Sequence, residues 1–135
     1  MARVFIAALL LGCALHAQQP STTPPEPPEE DPGQKPRDYA FNPVQAAKEI
    51  KAGDFYFKKG NYRAAAQRFN EATLWDSGSP EAFLKLGEAQ EKLKDLAAAR
   101  EAYEKFLMIA TDAKAADVVK KKIAKWPEPK TPNQK

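Results

Sequence analysis

The sequence predicts an all-α fold, two helical hairpins followed by a capping helix (an α-solenoid), and three observations predict it. First, residues between Pro43 and Ile109 repeat at a spacing of 34: Gly53 answers to Gly87, Ala65 to Ala99 and Phe69 to Tyr103. The same offset relates Asp54 to Glu88, Lys58 to Lys92 and Glu71 to Lys105, the last a charge reversal expected at an outward position. A fixed period of this length marks a stack of supersecondary units. Second, apolar residues recur at helical rather than strand spacing. Third, a capping residue precedes each apolar stripe.

Length and composition bound the answer. At 135 residues the chain has room for one domain, and its unpatterned ends leave a folded part near the lower limit for a self-sufficient core. The formal net charge of +3 predicts no nucleic-acid partner. Cys13 and His16, the only cysteine and histidine, both lie before Ala17. Cleavage after Ala17 therefore leaves no thiol nucleophile, imidazole base or Cys/His zinc site, so no cofactor or metal is expected.

Residues 1–17 have the layout of a bacterial secretory signal. Arg3 precedes the apolar run Val4 to Leu11, which is too short to span a bilayer, and small residues follow. Two cleavage readings stay open. Leu15-His16-Ala17 offers an ordinary signal-peptidase site, giving a periplasmic or secreted chain; Leu10-Leu11-Gly12-Cys13 resembles a lipobox, with Cys13 carrying lipid at the outer membrane. Residues 18–42 hold seven prolines and the cluster Glu26, Glu29, Glu30 and Asp31. Proline removes backbone donors and little is apolar, so the segment is read as a stiff disordered spacer; docking of Pro24 to Pro28 in a partner's groove is the alternative. Tyr39 and Phe41 are expected to pack back on the first helix.

Asn42-Pro43 opens that helix with an N-cap and a proline at the first turn, and Val44 to Lys59 runs to Gly60-Asn61, which ends one helix and caps the next. The second helix carries Tyr62, Ala65, Ala66, Phe69, Ala72 and Thr73 on one stripe and ends near Asp76. Ser79-Pro80 opens the third, with Phe83, Leu86, Gly87, Gln90 and Leu93 on one face. Asp95 caps the fourth, whose stripe is Leu96, Ala99, Tyr103, Phe106, Leu107 and Ala110. Short links between helices of similar length imply antiparallel hairpins. Thr111-Asp112 caps a last helix, residues 113–125, with Ala116, Val119, Ile123 and Trp126 on one stripe, as a terminal cap requires. Lys120, Lys121, Lys122 and Lys125 are read as its solvated face, with anionic lipid the alternative. Three prolines make residues 127–135 a disordered tail.

Residue by residue the repeat resembles the tetratricopeptide family. The first repeat, 46–79, supplies Gly53, Tyr56, Ala65, Phe69 and Ala72 at the family's positions 8, 11, 20, 24 and 27, and departs with Glu49 at position 4, Ala52 at 7 and Ser77 at 32. The second, 80–113, supplies Phe83, Leu86, Gly87, Ala99 and Tyr103, and departs with Gln90, Phe106 and Thr111 at 11, 27 and 32. The whole domain is placed at 43–126. Small residues at 8 and 20 would let paired helices approach, and the aromatic at 24 would fill the gap towards the neighbouring hairpin.

The resemblance implies a protein or peptide ligand on the concave face lined by the first helix of each pair. Carried over, that groove comprises Ala47, Ile50, Asp54, Phe57 and Lys58, then Glu81, Leu84, Glu88, Glu91 and Lys92. The clamp that some relatives use for a C-terminal carboxylate is missing, since Ile50 and Asp54 stand where lysine and asparagine would be. Ile50, Phe57 and Leu84 offer either apolar contact for a peptide or burial under a further layer. Asp54, Glu88 and Glu91 have the chemistry of an acid–base set, but no nucleophile elbow, phosphate loop or metal spacing accompanies them. The expected function is a non-enzymatic adaptor of the bacterial envelope, with a lipid-anchored assembly component as alternative. Two repeats are fewer than such arrays generally use, which makes end-to-end self-association an expectation too.

Overall fold

The computed structural model describes residues 38–128. The expected signal with Cys13, the spacer up to residue 37 and the tail from residue 129 lie outside the described residues. Five helices follow one another: α1 Pro43–Lys58, α2 Tyr62–Trp75, α3 Pro80–Lys92, α4 Leu96–Ile109 and α5 Ala113–Ile123. Among the described residues there is no strand.

Each start is fixed by a side chain satisfying backbone N–H groups left over at a helix N-terminus. Asn42 accepts from Gln45, Asn61 from Ala64, Ser79 from Ala82, Asp95 from Ala98, and Asp112 from both Lys114 and Ala115. The turns inside the two hairpins are built alike. Gly60 adopts φ +78°, and Lys94, at the equivalent position of the second repeat, adopts φ 64°. The N–H groups of Asn61 and Asp95 close the two turns on the carbonyls of Tyr56 and Gln90. The second turn thus keeps the left-handed residue without the glycine. Helix α5 stops at Ile123, short of the expected end at Lys125, and a turn carries the chain to Trp126.

The hairpins α1–α2 and α3–α4 pack through a ring laid on a glycine. A Cβ on Gly53 would stand 2.6 Å from Cδ1 of Phe69, and one on Gly87 would stand 2.5 Å from Cδ1 and Cε1 of Tyr103. Both rings are fully buried. The aromatic at family position 24 thus fills the space within its own hairpin and also faces the next layer, Phe69 sharing a core cluster with Ala82 and Ala89 of α3 and Tyr103 one with Val119 of α5. The hairpins join where α2 packs on α3. Helix α1 approaches α3, whereas α2 and α4 do not meet, so the hairpins splay on the side of the second helices. That leaves the first helices on the inner, concave side. Helix α5 closes the array more loosely, packing on α4 and setting Val119 among Phe83, Ala99, Tyr103 and Phe106.

The departure at position 4 is compensated by charge. Glu49 is buried and takes an ion pair from Arg68, also buried, at 3.2 Å, plus a bond from Gln45 at 2.7 Å. The equivalent positions of the second repeat hold Phe83 and Ala102, both buried. One hairpin thus fills this site with a charge pair, the other with a large and a small apolar residue. Glu71 is buried rather than outward: it accepts from the Tyr39 hydroxyl at 2.7 Å. Tyr39 also meets Trp75 edge-on at 4.9 Å, and the Asn42 N–H donates to the Trp75 carbonyl at 2.9 Å. The entry strap is thus tied to α2, not to α1, because the start of α1 lies beside the end of its antiparallel partner. Phe41 takes no part and is 77% exposed.

Two stability outcomes are expected. Gly53→Ala should destabilise by up to about 2 kcal/mol in chemical denaturation, because overpacking by about 1–3 kcal/mol is offset only by a gain of about 1 kcal/mol in helix propensity. Arg68→Ala should cost about 3 kcal/mol by stranding the buried Glu49 carboxylate, and the double change Glu49→Phe with Arg68→Ala, copying the second hairpin, should recover most of it. Equal stability of the single and double variants would show that the carboxylate carries no such penalty.

Candidate binding groove

The groove follows from how α1 and α3 pair across the hairpin boundary. Lys85 of α3 reaches Asp54 of α1 at 2.7 Å and lies 3.9 Å from Glu81. The same lysine stands over the Phe69 ring, 6.0 Å from its centroid. One layer on, the device recurs. Lys122 of α5 reaches Glu91 of α3 at 2.8 Å and lies over Tyr103, 5.3 Å from the centroid. In each case the lysine comes 31 residues after its carboxylate and covers the ring of the intervening second helix. Neither lysine stands out in the sequence as a bridge, although that shared spacing is present in it.

The second bridge is the richer one. The Tyr103 hydroxyl donates to Glu91 at 2.9 Å, and Lys122 is also 3.3 Å from that hydroxyl oxygen. Burial of Tyr103 and the adjacent Glu91 carboxylate push its phenol well above the usual range. For Glu91, burial alone would raise the carboxyl, but the bonds from Lys122 and Tyr103 outweigh it and hold the group below its ordinary value.

Of the residues assigned to the groove, the structure keeps some open and closes others. Ile50 is 8% exposed and belongs to the core of the first hairpin, so it offers no peptide contact. Phe57 is half-buried against that core, edge-on to Tyr62 at 5.1 Å. Asp54 and Glu91 are engaged by Lys85 and Lys122. Ala47, Lys58, Glu81, Glu88 and Lys92 are exposed. Leu84 is half-buried and lines a cleft of about 290 Å³ with Glu88 from α3 and Asp112, Lys114, Ala115, Val118, Val119 and Lys122 from α5 and its cap. The cleft exists because α5 packs on α4 while standing off from α3. Its floor is aliphatic and its rim charged. Among the described residues no helix is long and apolar enough to cross a membrane.

A tetratricopeptide repeat family model matches residues 56–122, from within α1 to within α5. No curated protein matches the chain.

Glu91 sets an acid dependence on the docking of α5. A depressed carboxylate contributes stability that is fully present above its ordinary value near 4.5 and is lost as pH falls through the lowered one. Both partners are about one-third exposed, so solvent screening limits the contribution to about 1 kcal/mol or less. Glu91→Gln should lower stability by that amount at neutral pH and flatten the acid limb below about pH 4.5. Trp126, 5.9 Å from Tyr103, is the fluorescent reporter. An unchanged acid limb in the variant would remove Glu91 as its source.

Proposed function

The chain belongs to the tetratricopeptide repeat family, whose repeats generally mediate protein–protein interaction, and on that premise we propose that it is a non-catalytic adaptor holding a peptide or protein segment on the concave face of its first helices. The observation that carries this reading is the α3–α5 cleft, where Leu84, Ala115 and Val118 form a partly open aliphatic surface over the buried Val119, beside Glu88 and Lys114. Apolar surface of this kind flanked by charge suits an extended or helical segment. The remaining groove residues Lys58, Glu81 and Lys92 extend the contact as a mixed-charge rim.

The site of action proposed is the cell envelope, supported by the charged and apolar N-terminal pattern of residues 1–17. The second reading, a lipid-anchored component of envelope assembly, is favoured by Leu10-Leu11-Gly12-Cys13. Intact mass of the protein recovered from an envelope fraction separates them: a chain starting at Gln18 supports the soluble adaptor, and one starting at Cys13 with added acyl mass supports the anchored form. End-to-end stacking of two copies carries a like-charge cost, since α1 exposes Lys48, Lys51 and Lys58, and α5 exposes Lys114, Lys120 and Lys121.

Photo-crosslinking side chains placed at Leu84, Glu88 and Lys92 should give discrete adducts in the native envelope, while the same groups at Arg63 and Glu104 on the second helices should give none. Adducts of equal yield from both sets would sink the concave-face assignment.

A further inference from the structure

The charge of this chain is segregated along its length. Glu26, Glu29, Glu30 and Asp31 stand close together among five prolines, and the nearest basic residue is Lys35. From Ala113 to Trp126 the chain carries Lys114, Lys120, Lys121, Lys122 and Lys125 against Asp117 alone. Between them, residues 38–112 are nearly balanced, with eleven basic and twelve acidic side chains.

Two lysines of α5 are engaged, Lys122 with Glu91 and, at 3.9 Å, Lys120 with Asp117. Lys114, Lys121 and Lys125 make no ion pair among the described residues. With Val118 they fall at i, i+4, i+7 and i+11, a single stripe along the helix and into the turn that follows it. All four are exposed, Val118 by 57%. The stripe borders the cleft whose floor includes Leu84, Ala115 and Val119. Of the charged groups lining that cleft, Asp112 is engaged in capping α5 and Lys122 in holding Glu91, which leaves Glu88 on the α3 wall and Lys114 on the α5 wall.

We propose that the acidic, proline-rich segment 24–31 of this chain lies along the stripe Lys114–Val118–Lys121–Lys125, with its prolines over Val118 and Leu84 and its carboxylates on the lysines. Charge complementarity selects the occupant, and Glu88 on the opposite wall keeps the carboxylates on the α5 side. The point of entry makes it reachable. Tyr39 and Asn42 fix the strap against Trp75 at the end of α2, from which a short turn leads into α3. The first helices start at that same end of the array. At about 3.1 Å per residue, the chain from Asp38 covers about 20 Å to Asp31 and about 40 Å to Pro24. Packed helices are spaced by about 8–10 Å, so α5 lies within range. A segment tethered at this length reaches an effective concentration in the millimolar range, which favours it over a free ligand of equal affinity. An anionic bilayer would also meet the lysines, but Val118 is the stripe's one large apolar side chain and offers little to insert.

This inference rests on the α3–α5 cleft being a peptide site, as in the adaptor reading, and adds that the chain supplies an occupant that external partners must displace. Carbodiimide crosslinking of the full chain at low micromolar concentration, followed by peptide mapping, tests it. Intramolecular links from Glu26 to Asp31 should fall on Lys114, Lys121 and Lys125 ahead of Lys48 and Lys51, and should fade in about 1 M salt, where screening acts within about 3 Å. A synthetic peptide of residues 22–33 should bind the variant E26Q/E29Q/E30Q/D31Q at least tenfold more tightly than the unaltered chain. Links spread evenly over all lysines, or equal peptide affinity for the two chains, would overturn the proposal. So would binding to phosphatidylserine vesicles without these links, which would give the stripe to a membrane. Photo-adducts at Leu84 from an external partner, with no links from residues 26–31, would remove this inference and leave the adaptor standing.

Discussion

The contact of an aromatic ring with a glycine backbone is what the rest of this structure depends on. Phe69 over Gly53 and Tyr103 over Gly87 leave no room for even a methyl group, so they set the separation of the helices in each hairpin. With that separation fixed, the alanines at 65 and 99 are fully buried. The outer faces of the two rings become the ground on which the next layer is laid. Lys85 and Lys122 stand over those rings while pairing with a carboxylate of the preceding first helix. One packing decision thus propagates from backbone contact to hairpin to array.

Charge is used in two different ways. Between α1 and α2 it is buried, with Glu49 and Arg68 in the place that Phe83 and Ala102 occupy in the second hairpin. A pair removed from water contributes little net stability but makes the loss of either partner costly, and it restricts which helix faces can meet. Between layers the charges are half-exposed and individually weak. They sit over aromatic rings, though, and so orient one first helix on the next without a large apolar interface. Helix α5 shows the consequence: Val119, with Ala115 and Ile123 beside it, and the Lys122–Glu91–Tyr103 set hold it. A loosely laid last helix is also what opens the cleft at Leu84. The cleft and the modest packing come from the same feature.

Much of the fold was legible in the chain. The cap residues Asn42, Asn61, Ser79, Asp95 and Asp112 are where helix starts were expected, because capping is a local hydrogen bond between near neighbours in the chain. The groove was less legible. Spacing leaves Ile50 open between peptide contact and burial, because one residue's burial depends on how far two helices rotate on each other, which spacing within a helix does not state. Glu71 looked outward for the same reason, and the strap bearing Tyr39 buries it. Lys85 does not stand out in the sequence because its partners, Asp54 and Phe69, come from two other helices.

By itself the sequence determined the number, order and capping of the helices and the 34-residue register that aligns Gly53 with Gly87 and Phe69 with Tyr103, since these rest on local hydrogen bonds and on one fixed repeat period. Only the tertiary structure decided that position 4 of the first repeat holds a buried ion pair, that lysines bridge successive layers, and that α5 stands away from α3. The physical reason is the range of the interactions. Propensity and capping act over one turn of chain, whereas charge pairing and the depth of a cleft depend on distances between residues far apart in the chain, set only once the helices have packed.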